Sequence, residues 1–443
     1  MYKLDEIVVE YPASRDGRAI DKAFLLDKIR AYAAHYRHLP KRSKVILWHG
    51  DSLEFATRLL ALGQFDVDVI LPPNCQAQTL RDLANLSPFY SGEVLEDLPS
   101  EMVLIDEYSD EHTHPEQLYW PCAEVGAGEL VFFTSGSTGP AKAIGKTWRA
   151  INTELATLES TFTTDAEAEF VAMVSHQHIY GLLFKLLWPL RYGHRFEVTT
   201  YQYPEHLAKR VSGYNTWFMV ASPAQLSRLT QDNVLIPVRE RISKVFSSGG
   251  PLKDDDAMTL FAQLELGVTQ VYGSTETGGI GYRDVVSKEL TPWQPFSGVS
   301  VSQGVTSLLL CSPLIEEPQR ALDDTGKVLS DGCFVLTGRA DRTVKVAEKR
   351  VNLAGMEQRL NAHENVANCV IVQLQSGRLG ALVELTHDAN SATTNKETSS
   401  ALKQWLSLEF EAVCIPRKWR YVSELPYNSQ GKLVYSELEQ YFV

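Results

Sequence analysis

Short, almost wholly apolar runs alternate with longer stretches of helical spacing over most of this 443-residue chain. Val45-Ile46-Leu47-Trp48 leads into a helical pattern over 52–62, and Val67-Asp68-Val69-Ile70-Leu71 follows it. The same rhythm returns at 169–174, 216–220, 244–246 and 268–272, with glycine or serine tending to close each strand. Strands separated by helices require right-handed crossovers. The spacing therefore predicts an α/β fold whose large N-terminal domain has mainly parallel sheets flanked by helices. Ligands on such sheets gather beyond the carboxyl ends of the strands.

From about residue 295 the strands shorten, at 299–301, 307–310 and 334–336. After Gly338-Arg339 comes a separate block of about 100 residues, enough for a small α+β domain. It holds a helix with Leu353, Met356 and Leu360 on one face, strands at 370–374 and 379–385, a polar loop over 387–397, a helix near 402–410, and a last strand and helix. The expected domains are 1–339 and 340–443. No internal repeat is visible, and 387–400 is the one low-complexity patch.

Charge narrows the range of partners. The net charge of −13 argues against nucleic acid or an anionic membrane as the main partner. Cys75, Cys122, Cys311, Cys333, Cys369 and Cys414 are scattered with no CxxC pair, as expected of free or buried thiols in a reducing compartment. Asp and Glu stand in MYKLDEIVVEY where a signal peptide needs an apolar run. No apolar stretch approaches the ~20 residues that span a bilayer, so no membrane span and a cytoplasmic location are expected.

Four strings carry candidate chemistry. In Val131-Phe132-Phe133-Thr134-Ser135-Gly136-Ser137-Thr138-Gly139-Pro140-Ala141-Lys142, β-formers run into hydroxyls and glycines closed by a lysine. Such a loop offers N–H and O–H donors and a point charge to phosphate oxygens, although a Ser/Gly surface turn has the same composition. It is not a Walker A loop, because Pro140 stands where that pattern would need a glycine before Gly145-Lys146-Thr147. The second string, Tyr272-Gly273-Ser274-Thr275-Glu276, ends a strand in an aromatic, a glycine turn, hydroxyls and a carboxylate. The third pairs Asp324 with Gly338-Arg339-Ala340-Asp341, and the fourth is Leu425-Pro426-Tyr427-Asn428-Ser429-Gln430-Gly431-Lys432. Alone, each of these last three is also compatible with an ordinary turn or loop.

In order, the four strings resemble the motifs of the adenylate-forming enzymes: acyl-CoA synthetases, aryl-CoA ligases, peptide-synthetase adenylation domains and luciferases. The first is similar to that family's TSGTTGxPKG, with Ala141 and Ala143 departing from it. The resemblance implies that Thr134, Ser135, Gly136, Ser137, Thr138, Gly139 and Lys142 cradle the phosphates of ATP. YGSTE looks like the family's YGxTE, which puts Tyr272 on adenine, Gly273, Ser274 and Thr275 beside phosphate, and Glu276 on Mg²⁺, with Thr138 as a second contact to the metal. Mg²⁺ prefers oxygen ligands and usually takes one or two carboxylates plus phosphates. Asp324 matches the ribose-binding aspartate and Gly332 an intervening glycine, while Arg339 matches the arginine behind ribose and phosphate. Asp341 matches the hinge of a mobile small domain. Lys432 matches the lysine that reaches the substrate carboxylate and the α-phosphate.

Two further segments resemble the walls of the acyl pocket. Ser175-His176-Gln177-His178-Ile179-Tyr180-Gly181 is similar to FHxxG, which gives His178 the place beside the carboxylate. Ser247-Ser248-Gly249-Gly250-Pro251-Leu252 is similar to SGAAPL, with Gly249 and Gly250 leaving room at the adenine and acyl group. Glu348 stands where the family has a glycine that lines the pantetheine tunnel, and Gly355-Met356-Glu357 replaces EIE. The chain thus reads as a short, divergent ligase. It is expected to activate an aryl or acyl carboxylic acid with ATP and Mg²⁺ and to pass the acyl group to CoA or a phosphopantetheinyl acyl carrier protein. Arg339, Arg342, Lys349 and Arg350 would form a basic docking surface for an acidic carrier. The alternatives are a nucleotide-binding sensor with the same fold, or an adenylating enzyme with a non-thiol acceptor.

Overall fold

The computed structural model describes residues 2–442 apart from 96–97, 106–116, 135–141, 163–167, 212–215, 288–290, 306, 340–341, 347–348, 375, 387–394, 428–432 and 434–437. The described residues form two compact units. One lies within Met1–Ser135, Ala141–Val299 and Ser312–Glu316, the other within Ser300–Cys311 and Glu317–Val443. No helix among the described residues is long and apolar enough to cross a membrane. All six cysteines are free thiols.

The first unit is built on two sheets. In one, the parallel strands Ala13–Arg15, Arg195–Thr200, Glu169–Ala172, Trp217–Ala221, Ile242–Ser247 and Val268–Ser274 lie side by side, with antiparallel strands at both edges. In the other, Val103–Leu104, Phe89–Gly92, Ser43–Trp48, Val67–Leu71 and Glu129–Thr134 run parallel, and Lys142–Thr147 returns antiparallel. Strands 43–48, 67–71, 169–172, 217–221, 242–247 and 268–274 fall where the apolar runs put them.

Strand side chains alternate between two cores, as period 2 requires. Phe170 and Ala172, Phe218 and Val220, and Phe246 face the layer between the sheets, as do Val45, Leu47, Val69 and Leu71 of the second sheet. The helices Lys22–Tyr36, Ser52–Leu62 and Trp148–Thr161 fill that layer. On the far face of the first sheet, Val171, Met173, Met219 and Val245 meet the helices Pro204–Val211, Pro223–Asp232 and Asp254–Leu264. Burial on both faces explains why these strands read as unbroken apolar runs.

The second unit is α+β. Strands Val366–Gln373, Leu379–Leu385 and Lys418–Val422 form a sheet covered on one face by the helices Leu353–Asn361 and Asn395–Ser407. Leu425, Leu438 and Phe442 cover its other face. The helix expected near 402–410 begins at Asn395, inside the polar stretch, because Thr398, Leu402 and Leu406 share one buried face. Met356 is buried in this core. Glu357 accepts from the Ile371 amide at 2.5 Å and pairs with Arg342, which gives this part of GME a structural role.

A buried polar chain underlies the segment that precedes His178. Lys185, fully buried in a π-type turn over Leu182–Leu187, donates to Ser52 Oγ at 2.6 Å, Thr200 Oγ1 at 2.6 Å and the Val198 carbonyl at 2.9 Å. Ser52 Oγ lies 2.9 Å from His176 Nδ1, and His176 Nε2 lies 2.8 Å from the His49 carbonyl. A carbonyl can only accept, so Nε2 carries the imidazole proton and Nδ1 accepts from Ser52. Burial and the nearby Lys185 keep this ring neutral, with its pKa lowered to about 3. Gln177 Nε2 donates to the same His49 carbonyl at 2.9 Å, so the 176–177 segment is pinned to the turn before helix 52–62.

Burial lowers the pKa of Lys185 to about 7, and Glu197 and Asp51 partly offset that shift. The unfolded lysine holds its proton up to about pH 10.5, so between pH 7 and pH 10.5 the unfolded chain binds more protons. The contribution of Lys185 to stability therefore rises with pH across that window. In Lys185→Met the slope of unfolding free energy against pH should fall there by at most about 1.4 kcal/mol per pH unit, the limit for one proton. Urea unfolding at a series of pH values measures it, and an unchanged slope would exclude Lys185 as the titrating group.

Candidate active site

The parallel strands of the first sheet end together. Val220 pairs with Ala172, Ala221 with Ser247, and Ser247 with Gln270, so the segments that follow emerge along one edge. Side chains tie those segments to one another. Tyr180 Oη donates to the Ala221 carbonyl at 3.2 Å, Gln225 Nε2 to Met173 O at 2.7 Å, and Ser248 Oγ to Val271 O at 2.8 Å. His178 lies in this edge as the half-buried N-cap residue of the helix that begins at Ile179. Gly249 and Gly250 are exposed just beyond strand 242–247. At Gly249, where φ is +89°, an added Cβ would meet nothing within 4 Å, and at Gly250 it would meet Pro223 at 3.9 Å. The room expected from the paired glycines is present.

Tyr272, Gly273 and Ser274 end strand 268–274. The Tyr272 ring is half-buried and tilted against Trp293, with centroids 5.4 Å apart. Gly273 is required by close approach, since a Cβ there would come within 2.3 Å of the Gly278 carbonyl oxygen. Thr275 and Glu276 occupy the turn before the antiparallel strand Gly278–Val285. Within the turn, Ser274 and Thr277 bond reciprocally, each amide donating to the other's hydroxyl at 3.0 and 3.2 Å.

The first motif lies between two antiparallel strands. Strand Glu129–Thr134 is answered by Lys142–Thr147, with Thr134 opposite Lys142 in register, so the two residues flank the turn. Ser135, Gly136, Ser137, Thr138 and Gly139 lie outside the described residues, and Lys142 is exposed at the start of the return strand. Four residues on, buried Lys146 donates from Nζ to the Glu276 carbonyl at 2.8 Å. The hairpin and the YGSTE turn, which end strands of different sheets, therefore meet.

Helix Trp148–Thr161, capped by Thr147 Oγ1 at the Ala150 amide, carries Glu154, whose Oε1 accepts from the Gly279 amide at 2.7 Å. Burial raises the Glu154 pKa, against the opposing pull of that amide and of Lys146. Lys146, Glu154, His176 and Lys185 were not legible as site-supporting residues. In the sequence Lys146 stands in a failed Walker pattern and His176 in the string before His178, while Glu154 and Lys185 carry no local signal.

In the second unit, Asp324 begins strand Asp324–Val328 and stands opposite Arg339 of strand Phe334–Arg339, which brings the two ribose candidates into cross-strand register. Gly332 lies between them at φ +87°. Asp341 and Lys432 lie outside the described residues, and an antiparallel bridge between Tyr427 and Leu433 closes the segment bearing Lys432. Arg342 does not serve the expected docking surface. Its guanidinium side chain is 11% exposed, pairs with Glu357 and donates to the Ile371 carbonyl at 2.9 Å.

Glu276 is half-buried, next in sequence to the bonded hydroxyls of Ser274 and Thr277, and its carbonyl accepts from Lys146. One carboxylate with few other protein donors suits Mg²⁺ when substrate phosphates supply the remaining oxygens. Glu276 would hold the ion, and Thr138 is the further contact that the motif suggests.

Comparisons with known proteins agree with this geometry. The chain is 27% identical to a 4-coumarate–CoA ligase of Rhodobacter capsulatus over 69% of this chain and 74% of the relative. It is 22% identical to a 3,4-dihydroxybenzoate–[aryl-carrier protein] ligase of Bacillus anthracis over 70% and 73%. An amide bond synthetase from Marinactinospora thermotolerans has the same fold, with a TM-score of 0.81 at 17% identity over 99% of this chain and 98% of that one. The model of the AMP-binding enzyme family matches residues 93–337, more than half of the sequence, and the protein belongs to that family of adenylate-forming enzymes.

Proposed function

We propose that the protein is an ATP-dependent aryl acid ligase that forms an aryl-adenylate and pyrophosphate, then transfers the aryl group to a phosphopantetheine thiol. The observation that carries the reading is the meeting of the phosphate hairpin with the Glu276 turn through Lys146. Phosphate oxygens and a metal-holding carboxylate must be neighbours for this reaction, and a bond from the strand that follows the phosphate motif to the backbone of Glu276 supports that arrangement. An aromatic acid is supported by relatives named for 4-coumarate and 3,4-dihydroxybenzoate.

In the first step the carboxylate oxygen attacks the α-phosphorus, and the bond to pyrophosphate breaks. Bound Mg²⁺ neutralises phosphate charge. Lys142 and the hydroxyls of 134–138 bind the phosphates, Tyr272 stacks on the adenine, and Asp324 accepts from the ribose hydroxyls with Arg339 behind it. His178 lies beside the carboxylate. Lys432 stabilises the charge that builds at the pentavalent phosphorus. In the second step a thiolate attacks the acyl carbon and AMP leaves with its electron pair. The thiol is that of CoA or of a phosphopantetheinyl carrier protein, and an amine acceptor is the rival outcome.

Carboxylate-dependent ATP–pyrophosphate exchange across aryl, short-chain and long-chain acids tests the first step. Exchange with aryl acids should fall by about 10²-fold or more in Lys432→Ala, the scale for losing a transition-state charge partner. Nucleotide binding with no exchange for any acid would instead identify a sensor. For the second step, Asp341→Pro should slow thioester formation while sparing adenylation, because the small domain must turn about this residue before the thiol enters. Equal loss of both half-reactions in single-turnover assays would reject the hinge.

A further inference from the structure

The turn that carries Glu276 is short, and its own bonds cannot fix where it sits. Ser274 and Thr277 close it internally, and the pairing of strands 268–274 and 278–285 holds its two ends. Two side chains from a distant part of the sequence add the side-chain bonds that brace it from outside. Lys146 Nζ holds the carbonyl of Glu276 itself at 2.8 Å, and Glu154 Oε1 holds the Gly279 amide, three residues on, at 2.7 Å. Lys146 is 5% exposed and Glu154 9% exposed. Both belong to one continuous piece of chain, the return strand of the phosphate hairpin and the helix that Thr147 caps.

We propose that Lys146 and Glu154 are positioning residues that fix the backbone at Glu276 and just after it, so that metal affinity at Glu276 depends on both. The inference rests on the assignment of Glu276 as the Mg²⁺ ligand. A buried lysine and a buried glutamate are costly to carry, and apolar residues of similar volume often stabilise a core as well or better. Glu154 shows the cost directly, since burial raises its pKa in spite of Lys146 and the Gly279 amide. What an apolar pair cannot do is hold the backbone carbonyl of the turn at Glu276 and a backbone amide at the start of the strand that follows. Here the lysine meets the acceptor and the carboxylate meets the donor. Partners behind a metal ligand orient it and are worth about 10–100-fold in metal affinity.

The test uses the full chain with a non-hydrolysable ATP analogue, Mn²⁺ as a paramagnetic stand-in for Mg²⁺, and amide hydrogen exchange over 274–280 without nucleotide. Lys146→Met should weaken Mn²⁺ binding by about tenfold and speed exchange of the Gly279 amide, leaving exchange in strand 242–247 unchanged. Glu154→Leu should do the same. Glu154→Gln keeps an acceptor for the amide and should stay nearer the wild type, which a purely electrostatic pair would not predict. If Lys146→Met does not fold, the contrast between Glu154→Gln and Glu154→Leu decides the question. Unchanged Mn²⁺ affinity in Lys146→Met, with weakened affinity in Glu276→Gln, overturns the proposal and leaves Glu276 as the ligand. Unchanged affinity in Glu276→Gln overturns the ligand assignment and the proposal with it. Faster exchange throughout the first unit, with no selective loss at 274–280, reduces both residues to general stability and also overturns it.

Discussion

Strands buried on both faces leave nowhere along their length for an unpaired charge, and much of the first unit follows from that. Phe170 and Ala172 are committed to the layer between the sheets, Val171 and Met173 to the outer core. The charged exceptions are paired. Glu169 and Glu197 share Ser14 and the Arg210 guanidinium, which donates from Nε to Glu197 at 2.6 Å and whose other bonds keep both carboxylates matched. An unpaired charge in such a position would not be tolerated. Reactive groups are therefore confined to the ends of strands, where the backbone leaves the sheet and side chains can face a ligand.

Confinement brings groups together but does not orient them. Segments at a sheet edge are loops and turns, with fewer neighbours than the strands that deliver them. The molecule compensates with side-chain bonds from one segment to the next, as at Tyr180–Ala221, Gln225–Met173 and Ser248–Val271. Beneath His178, the chain from Lys185 through Ser52 to His176 braces the edge from inside. Because His176 has both ring nitrogens bonded and stays neutral, it serves as a fixed strut and leaves acid–base exchange to others.

The architecture was legible in the sequence where the signal is local. Apolar runs at 45–48, 67–71 and 268–272 mark strands that extend only a residue or two further, and Leu353, Met356 and Leu360 mark a helix by their spacing. What escaped depends on partners far along the chain. The turn residues after Thr134 do not reveal that Lys142–Thr147 folds back antiparallel, because that pairing is set by the register of Thr134 with Lys142. Asp323-Asp324-Thr325-Gly326 has the composition of a turn yet enters a strand, since Arg339 stands opposite it. Arg342 resembled a surface cation until Glu357 and the Ile371 carbonyl claimed it. The motifs specified the residue types of the site, and the fold supplied the struts behind them.

Where those struts originate matters for how the site can move. The return strand and helix 148–161 carry the lysine of the phosphate hairpin at 142 and both residues that grip the Glu276 turn at 146 and 154. A displacement of that element would pull on the backbone at Glu276 and Gly279 through these two bonds. Catalysis by positioned charge depends on such fixed relations, because a dipole or cation already aimed at the developing charge needs no reorganisation at the moment of reaction. The cost of burying Lys146 and Glu154 is then the cost of making two motifs from two different sheets behave as one rigid part.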